Sequence, residues 1–393
     1  QTAYLKAHYP EEFMASLLTH HMSDLSKLTK YMDECKRMNI SVLGPDLNES
    51  FIDYSVNLND KIRFGLGAIK GVGSVAAQSI INERLSNGVY LDFLDFIKRV
   101  DTKVVNKRVL EALALGGVFD SLTTVNRANF FKKDNNQTFI ELVIQFRSQF
   151  AKNSIADNQL EMFDQVTMNT MTEEPLLSDT EEWGRLELLN KEKEVLGVYI
   201  SGHPLDDYSL EVNNFCSHQI RDIDLMNGPV KNFTFAGYVV SHLERIGKND
   251  KPYGIIMLED YSGAREFRLF GEDYIQFRNY FMVGSLLYFT ASMIKRAWDG
   301  SLNVKFNKVH LLSDVANKFI NEINFKINLT QVDDAFVYNL LDVVKKHPGK
   351  HNLKLKILTQ KVHLDFLSKT YQVNLCKEFI SEMSVFSEDF TLK

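Results

Sequence analysis

The sequence predicts a multidomain α+β protein in which a helical first half precedes a β-rich second half. Three observations support this fold class. Apolar residues recur at helical spacing over residues 1–40, a Gly-x-Gly turn at Gly71 and Gly73 joins two apolar segments, and strand-like alternation begins after Gly228-Pro229. At 393 residues the chain is long enough for two to four domains.

Composition narrows the class of protein. Cys35, Cys216 and Cys376 lie far apart, which argues against a disulfide framework or a zinc site. The net charge is −6, and no signal peptide, lipidation motif or membrane-length apolar run is found. These features favour a cytoplasmic protein that has no membrane partner. The pattern of residues 1–10 is typical of a helix that has already begun, so we expect a fragment of a longer protein.

The most informative segment is the turn that contains Lys70, Gly71, Val72, Gly73 and Ser74. Two glycines allow a tight turn that exposes backbone N–H groups at the start of a helix, where the helix dipole favours an anion. This pattern is typical of a helix-hairpin-helix, which holds a nucleic-acid backbone without reading its bases. We therefore expect these five residues to contact duplex DNA.

Other glycine turns are possible at this position. A dinucleotide-binding fingerprint needs a third glycine where Lys70 stands, and a P-loop needs a lysine between Gly73 and Ser74. An ordinary helix C-cap followed by a new helix remains the main alternative.

A second helix and glycine turn, at Gly116-Gly117, loosely repeats the first and predicts a tandem helix-hairpin-helix domain over residues 56–150. Residues 60–133 contain 12 lysines and arginines against 7 acids, a local excess of positive charge in an acidic chain. Lys107 and Arg108 are the best further candidates for phosphate contacts, although a solvated helix face explains them equally well.

An amphipathic helix near 137–150 and an acidic linker over 151–182 are expected next. From 151 to 184 the chain has 8 acids and one base, Lys152. Within it, Gln159, Leu160, Met162 and Phe163 form an isolated apolar cluster with a polar anchor. Such a cluster fits a peptide that docks into a partner's groove, or one that tethers the linker to its own domain.

After a helical connector (183–228), residues 229–312 read as three strands, one helix and two strands, the order of an OB-fold β-barrel. The usual ligand of this fold is single-stranded nucleic acid, held by basic and aromatic side chains. The candidate contacts are Arg245, Lys248, Lys251, Tyr253, Arg265, Arg268, Lys295, Arg296 and Trp298. Each alone also fits a solvated surface residue. Residues 313–393 predict a small α+β C-terminal module.

Five stretches carry a resemblance to a known family. They are Thr2–Pro10 with Glu12–Met14, Glu34–Met38 with Pro45–Asn48, Arg63–Gly73, Asn106–Leu110 and Lys191–Leu205. Together they make the chain similar, almost end to end, to the C-terminal part of the bacterial C-family replicative DNA polymerases, the DNA polymerase III alpha subunit family.

The resemblance implies a role for each segment. Residues 1–55 would be the helical end of the fingers region, and the tandem hairpins would grip duplex DNA. The peptide with Gln159, Leu160, Met162 and Phe163 would bind the sliding clamp. The OB-fold would approach the single-stranded template, and residues 313–393 would contact the tau subunit of the clamp loader. The parent protein would be a DNA-directed DNA polymerase of chromosomal replication.

Catalytic carboxylates are expected elsewhere in the parent protein. Asp222 and Asp224 are spaced like a metal-binding pair, but helix capping or a loop position explains them better. The resemblance implies that the catalytic aspartates and their Mg²⁺ belong to a palm domain upstream of Gln1. We therefore expect this fragment to bind DNA without catalysis and to hold no metal or cofactor. The alternatives are a fragment of an error-prone or repair polymerase of the same family and a non-catalytic DNA-repair accessory protein.

Overall fold

The computed structural model describes residues 1–134, 136–160, 174–175, 180–247, 250–295, 300–329, 332–358, 363–387 and 389–392. The chain divides into two compact units, Gln1–His203 and Pro204–Lys393. This division falls inside the segment that the sequence predicts as a connector, 183–228. The predicted segments 1–55 and 56–150 lie together in the first unit.

The first unit is mainly helical. Its helices are α1 (Thr2–His8), α2 (Pro10–His20), α3 (Leu25–Arg37), α4 (Gly73–Asn87), α5 (Phe93–Arg99), α6 (Lys107–Leu115), α7 (Phe139–Leu160) and α8 (Arg185–Leu196). Its strands are β1 (Val42–Leu43), β2 (Ser55–Val56), β3 (Ile62–Arg63), β4 (Lys133–Asp134) and β5 (Gln137–Thr138), and its 3₁₀ helices are Leu66–Ala68 and Arg127–Phe130.

One apolar core extends through the first unit, from Met14 to Val198. The strand β3 lies between β1 and β2, parallel to β1 and antiparallel to β2, so the small sheet crosses the predicted boundary at residues 55 and 56. Phe93, Phe119 and Phe130 pack edge to face or tilted, with ring centroids 4.9–5.6 Å apart. This aromatic cluster lies among the elements that follow the glycine turn and holds them in place.

Helix α7 continues to Leu160, beyond the end that the sequence predicts. The first ten residues of the predicted linker, 151–160, therefore have a helical backbone. The physical reason is that residues 139–160 contain no glycine or proline to end the helix. The acidic composition alone does not prevent helix formation there.

The second unit contains two sheets. Its helices are α9 (Ser209–Phe215), α10 (Ile220–Asp224), α11 (Gly271–Phe277), α12 (Leu312–Phe319), α13 (Asp334–Lys346) and α14 (Lys377–Met383), with 3₁₀ helices at Pro204–Tyr208 and Arg278–Tyr280. Its strands are β6 (Val230–Ile246), β7 (Pro252–Asp260), β8 (Gly263–Phe270), β9 (Leu286–Lys295), β10 (Leu302–Leu311), β11 (Glu322–Asn328), β12 (Pro348–Leu358), β13 (His363–Val373) and β14 (Phe390–Leu392).

The first of these sheets has the strand order of an OB-fold. The order is β10-β9-β6-β7-β8, every neighbouring pair is antiparallel, and α11 joins the third strand to the fourth. This confirms the predicted succession of strands and helix. Among the described residues β8 and β10 are not paired, so the sheet is open at that point rather than a closed barrel.

Aromatic rings fill the inner side of this sheet. Phe235 stacks on Phe289 with centroids 4.8 Å apart and planes 11° apart, and Phe306 lies 4.8 Å from Phe289. The ring of Tyr274, on α11, packs against Gly254, where a Cβ atom would lie 2.3 Å from the ring. The glycine is therefore required for α11 to close over the sheet.

The C-terminal module is a four-stranded mixed sheet in the order β13-β12-β11-β14, with α13 and α14 packed on it. Strands β11 and β12 are parallel, and the other pairs are antiparallel. The small α+β module that the sequence predicts is confirmed. Among the described residues, no helix is long and apolar enough to span a membrane.

Candidate nucleic-acid interface

The first glycine turn has the backbone that the sequence predicts. Gly71 and Gly73 have φ angles of +98° and +73°, in the region that favours glycine. Helix α4 begins at Gly73, and no side chain caps its start. Because the first N–H groups of a helix have no partner within it, those of this turn face the exposed surface at Gly73 and Ser74. A phosphate oxygen is a fitting acceptor for them.

Two exposed cations flank this turn. Lys70 precedes Gly71 in the sequence, and Arg108 reaches it from α6, with Nε 3.7 Å from where a Gly71 Cβ would lie. Neither cation forms an ion pair among the residues that the structure describes. The structure thus brings Arg108, which the sequence proposed separately, to the turn that contains Lys70.

Lys107 is differently placed. Its Nζ lies 2.7 Å from Glu141 Oε1 and 3.7 Å from Glu111 Oε1. The hydrogen bond that Lys107 donates to Glu141 raises the pKa of Lys107, and the same bond, with one from the Thr138 N–H, lowers the pKa of Glu141 to about 2. A phosphate at Lys107 would therefore compete with Glu141.

The count of lysines and arginines in residues 60–133 is larger than the number of cations that are available to bind DNA. At least six of the twelve bases form hydrogen bonds within the described part of the first unit: Arg63, Arg84, Lys98, Arg99, Lys107 and Arg127. Arg84 is the extreme case, because it is 6% exposed and donates to the carbonyls of Leu47 and Ser50 at 2.7 and 2.9 Å. A count over sequence cannot separate such structural arginines from surface ones.

The second glycine turn differs from the first. The N–H of Val118 donates to Leu113 O at 3.0 Å and that of Gly117 to Ala114 O at 3.1 Å, with Gly117 at φ +78°. These are the two bonds of a Schellman motif, which ends α6. Its donors are used within the protein, so this turn is a helix cap, the reading that the sequence left open for the first turn.

Helix α8 contacts the first turn and also carries a buried carboxylate. Val195 O accepts from the N–H of Lys70 at 2.8 Å. One turn earlier on α8, Glu192 is 1% exposed and accepts from the N–H groups of Ile200 and Ser201 at 2.8 Å and from Arg127 at 3.1 Å. The backbone of α8 therefore helps to position the turn, and Glu192 joins α8 to Arg127 and to residues 200 and 201.

A second candidate surface lies on the outer face of the OB-fold sheet. Arg245, Tyr253 and Phe270 are directly opposite one another on β6, β7 and β8, so their side chains share one face. The rings of Tyr253 and Phe270 stack with centroids 5.4 Å apart, and Phe270 is 55% exposed. The sequence analysis missed Phe270, although its spacing of two from Arg268 was a signal that the two share a face.

The other residues predicted for this surface divide into four groups. Arg265 lies on the opposite face of β8, where it pairs with Asp224 at 3.2 Å and lies over the Phe267 ring. It is therefore not part of the outer-face surface. Arg268 shares the outer face but pairs with Glu266 at 2.7 Å. Lys251 and Lys295 are exposed at strand ends. Lys248, Arg296 and Trp298 lie outside the described residues.

The predicted clamp-binding peptide is described only in part. Gln159 and Leu160 end the backbone of α7, and Met162 and Phe163 lie outside the described residues. The flanks of the peptide are anchored in the first unit. Lys98 binds Glu174 at 2.5 Å, and Asn126 donates to Thr180 O at 2.8 Å.

Asp222 and Asp224 serve local structure. Asp222 accepts from the N–H of Gln219 at 2.9 Å and completes a capping box at the start of α10, while Asp224 pairs with Arg265. The capping role that the sequence favoured is confirmed for Asp222, whereas Asp224 forms an ion pair instead. Within the described part of the chain, no three metal-ligating side chains converge.

Comparison with known proteins agrees with this architecture. A family model described as "Helix-hairpin-helix motif" matches residues 39–130, and one described as "DNA polymerase III alpha subunit, C-terminal domain" matches residues 323–388.

Curated relatives cover most of the chain. DNA polymerase III subunit alpha of Borreliella burgdorferi is 35% identical over 344 residues, which are 87% of this chain and 29% of that protein. The Vibrio cholerae subunit is 30% identical over 350 residues, 88% of this chain and 29% of that protein. The Neisseria meningitidis subunit is 37% identical over 272 residues, 69% of this chain and 22% of that protein. The chain thus spans less than a third of the length of these relatives. It belongs to the DNA polymerase III alpha subunit family and includes the C-terminal domain of that family.

Proposed function

We propose that this chain is the DNA- and clamp-binding portion of a replicative DNA polymerase, and that its first unit grips duplex DNA through phosphates. The observation that carries the proposal is the turn of Gly71 and Gly73, which opens at an uncapped helix start between two exposed cations, Lys70 and Arg108. Backbone N–H groups and the helix dipole would bind an oxygen of one phosphate, and Lys70 and Arg108 would each neutralise one phosphate at the turn.

Such a grip is independent of base sequence and sensitive to salt. Each phosphate neutralised by a cation contributes about −0.9 to the slope of log K against log salt for duplex DNA. Contacts of this kind suit a polymerase, which must hold the duplex at every position along the chromosome. We expect the protein to act in the cytoplasm, together with the chromosome.

Fluorescence anisotropy with a labelled duplex at several salt concentrations tests the grip. Lys70→Ala/Arg108→Ala is expected to weaken binding at least tenfold and to reduce the salt slope by about 1.8, because two phosphate contacts are lost. Lys30→Ala/Lys61→Ala is the matched control, since it removes the same charge from exposed sites on other elements of the first unit. Equal binding by the two double variants would refute the proposal.

We propose a second DNA contact at the outer face of the OB-fold sheet. Tyr253 and Phe270 offer stacked rings to unpaired bases, and Arg245 lies in the same row to meet the backbone. Tyr253→Ala/Phe270→Ala is expected to weaken binding of a single-stranded oligonucleotide at least tenfold and to leave duplex binding unchanged. Loss of both activities together would indicate a folding defect, which thermal melting detects.

The proposed clamp contact rests on the family pattern at Gln159, Leu160, Met162 and Phe163. Each large apolar side chain that is buried in a clamp groove would contribute roughly 1.5–3 kcal/mol, less the cost of ordering the peptide. Surface plasmon resonance with the cognate sliding clamp tests it. Met162→Ala/Phe163→Ala should weaken clamp binding at least tenfold and leave duplex binding intact. Unchanged clamp affinity would show that the motif is a coincidence.

The remaining parts of the proposal concern the whole enzyme. The C-terminal module of residues 313–393 would contact the tau subunit of the clamp loader, and the parent protein would carry out DNA-directed DNA synthesis with Mg²⁺ in its palm domain. The chain alone, given primed template, nucleotides and Mg²⁺, should extend no primer. Extension that persists after stringent purification and disappears in Asp222→Asn/Asp224→Asn would contradict this assignment.

A further inference from the structure

The exposed side of helix α4 carries a row of uncharged polar residues. Ser74, Gln78, Asn82 and Ser86 are spaced by four and lie on one side of the helix. All four are exposed, whereas Ala76, Ala77, Ile80, Ile81 and Arg84 face the core. The row lines an open groove of about 740 Å³, whose other walls include Ile52, Val100 and Asp101. The first member of the row lies in the turn proposed to hold a phosphate.

Two charged side chains at this groove form an internal ion pair. Glu83 and Arg99 line it, but Arg99 Nε lies 3.1 Å from Glu83 Oε1, and Arg99 Nη1 lies 3.1 Å from Asp95. The groove therefore presents hydrogen-bonding groups without a free cation to attract phosphate. Asp101 is the one lining carboxylate outside an ion pair among the described residues, and its Oδ1 accepts from the N–H of Lys103 at 2.9 Å.

The two amides of the row are pre-arranged. Gln78 Nε2 donates to Asn82 Oδ1 at 2.7 Å, which fixes both side chains. Gln78 Oε1 then remains an acceptor, and the Asn82 amino group remains a donor, for a further partner. An amide pair that offers both a donor and an acceptor can hydrogen-bond to base edges, which present both kinds of group, and its donor can bind the acceptor oxygens of deoxyribose.

The distances along α4 suit a duplex held at its start. At 1.5 Å per residue, Gln78 lies about 6 Å and Asn82 about 12 Å beyond Ser74 along the helix axis. Both distances are comparable to the widths of the grooves of B-DNA, about 6 Å for the minor groove and about 12 Å for the major groove.

We propose that Gln78 and Asn82 extend the duplex site along α4 through uncharged hydrogen bonds to sugars and base edges of the DNA whose phosphate lies at the Gly71–Gly73 turn. This inference rests on the proposed function of that turn. It assigns two kinds of contact to one site: charged contacts that depend on salt, and uncharged contacts that do not.

The salt dependence of duplex binding by the full 393-residue chain separates these two kinds of contact. Gln78→Ala/Asn82→Ala is expected to weaken binding at least fivefold at every salt concentration, with an unchanged slope of log K against log salt. Lys70→Ala/Arg108→Ala is expected to reduce that slope by about 1.8. Asn87→Ala, which removes an amide from the same helix outside the groove, is the matched control and should bind like the parent protein.

A second variant guards against a folding defect in the first. Gln78→Glu keeps the length of the side chain at an exposed position and is expected to weaken binding more than tenfold, because a carboxylate would face the DNA. Parental affinity of either Gln78 variant, or a reduced salt slope in Gln78→Ala/Asn82→Ala, would overturn this inference alone. Parental affinity and slope in Lys70→Ala/Arg108→Ala would overturn the proposed function as well.

Discussion

Replacement of Glu192 by alanine should destabilise the first unit more than any surface change in it. The buried carboxylate accepts hydrogen bonds from Ile200, Ser201 and Arg127, and the Arg127 side chain is only 12% exposed. Removal of one partner of a buried ion pair costs about 3–5 kcal/mol, because the other charge loses its compensation. Arg127 keeps Asp120 and the Leu115 carbonyl, which sets the expectation at about 3 kcal/mol, near the lower end of that range.

Calorimetry measures this cost directly. For a unit of 150–250 residues, 1 kcal/mol corresponds to about 2–4 °C in Tm, so Glu192→Ala should lower the Tm of the first unit by about 6–12 °C. Glu192→Gln retains an oxygen for Ile200 and Ser201 and should lose about half as much. Glu194→Ala, an exposed acid on the same helix, is the control. A Tm of Glu192→Ala within 2 °C of the control would refute the argument from burial.

Three further predictions concern individual contacts. Gly73→Ala should cost only about 1–2 kcal/mol in stability, because its φ is positive but a Cβ there meets no described atom within 4 Å. It should nevertheless weaken duplex binding at least tenfold, measured by anisotropy, because the Cβ would crowd the phosphate. Glu141→Gln should strengthen duplex binding, because it releases Lys107; unchanged affinity would remove Lys107 from the DNA contacts. The pKa of Glu141 is about 2 in the folded chain against an ordinary 4.5, so the stability it contributes is complete above pH 4.5 and is lost as the pH falls towards 2; acid unfolding of Glu141→Gln should lack this component. Gly254→Ala should lower the Tm of the second unit by several degrees, because the Cβ would overlap the Tyr274 ring, and Gly247→Ala serves as the comparison.

The elements of this chain were predictable where the pattern is local. The strands of the OB-fold sheet and the helix after β8 follow from alternation and turn residues, and the positive φ of Gly71 and Gly73 follows from the Gly-x-Gly spacing. The end of α7 was not predictable from acidic composition, because no residue between 139 and 160 forbids a helix.

What the sequence could not supply are partners that are distant along the chain. Arg84 and Arg108 are the same residue type, so the sequence does not distinguish them. The carbonyls that accept hydrogen bonds from Arg84 lie 34 and 37 residues away along the chain. Arg265 looked like a DNA contact until Asp224 was placed beside it. The pairing of Tyr253 with Phe270 depends on strand register, which composition does not fix.

The anchors on either side of residues 161–173 have a consequence for how a partner would be held. Both Leu160 and Glu174 belong to the first unit, so the peptide between them departs from and returns to the same body. A fully extended chain of that length reaches no further than about 25 Å from its anchors at its midpoint. A ring-shaped clamp bound there would be tethered close to the proposed duplex-binding site. Binding of the clamp and binding of the duplex would then each raise the effective concentration of the other partner. Release of the ring would then require only one weak peptide to let go, while the DNA stays in place.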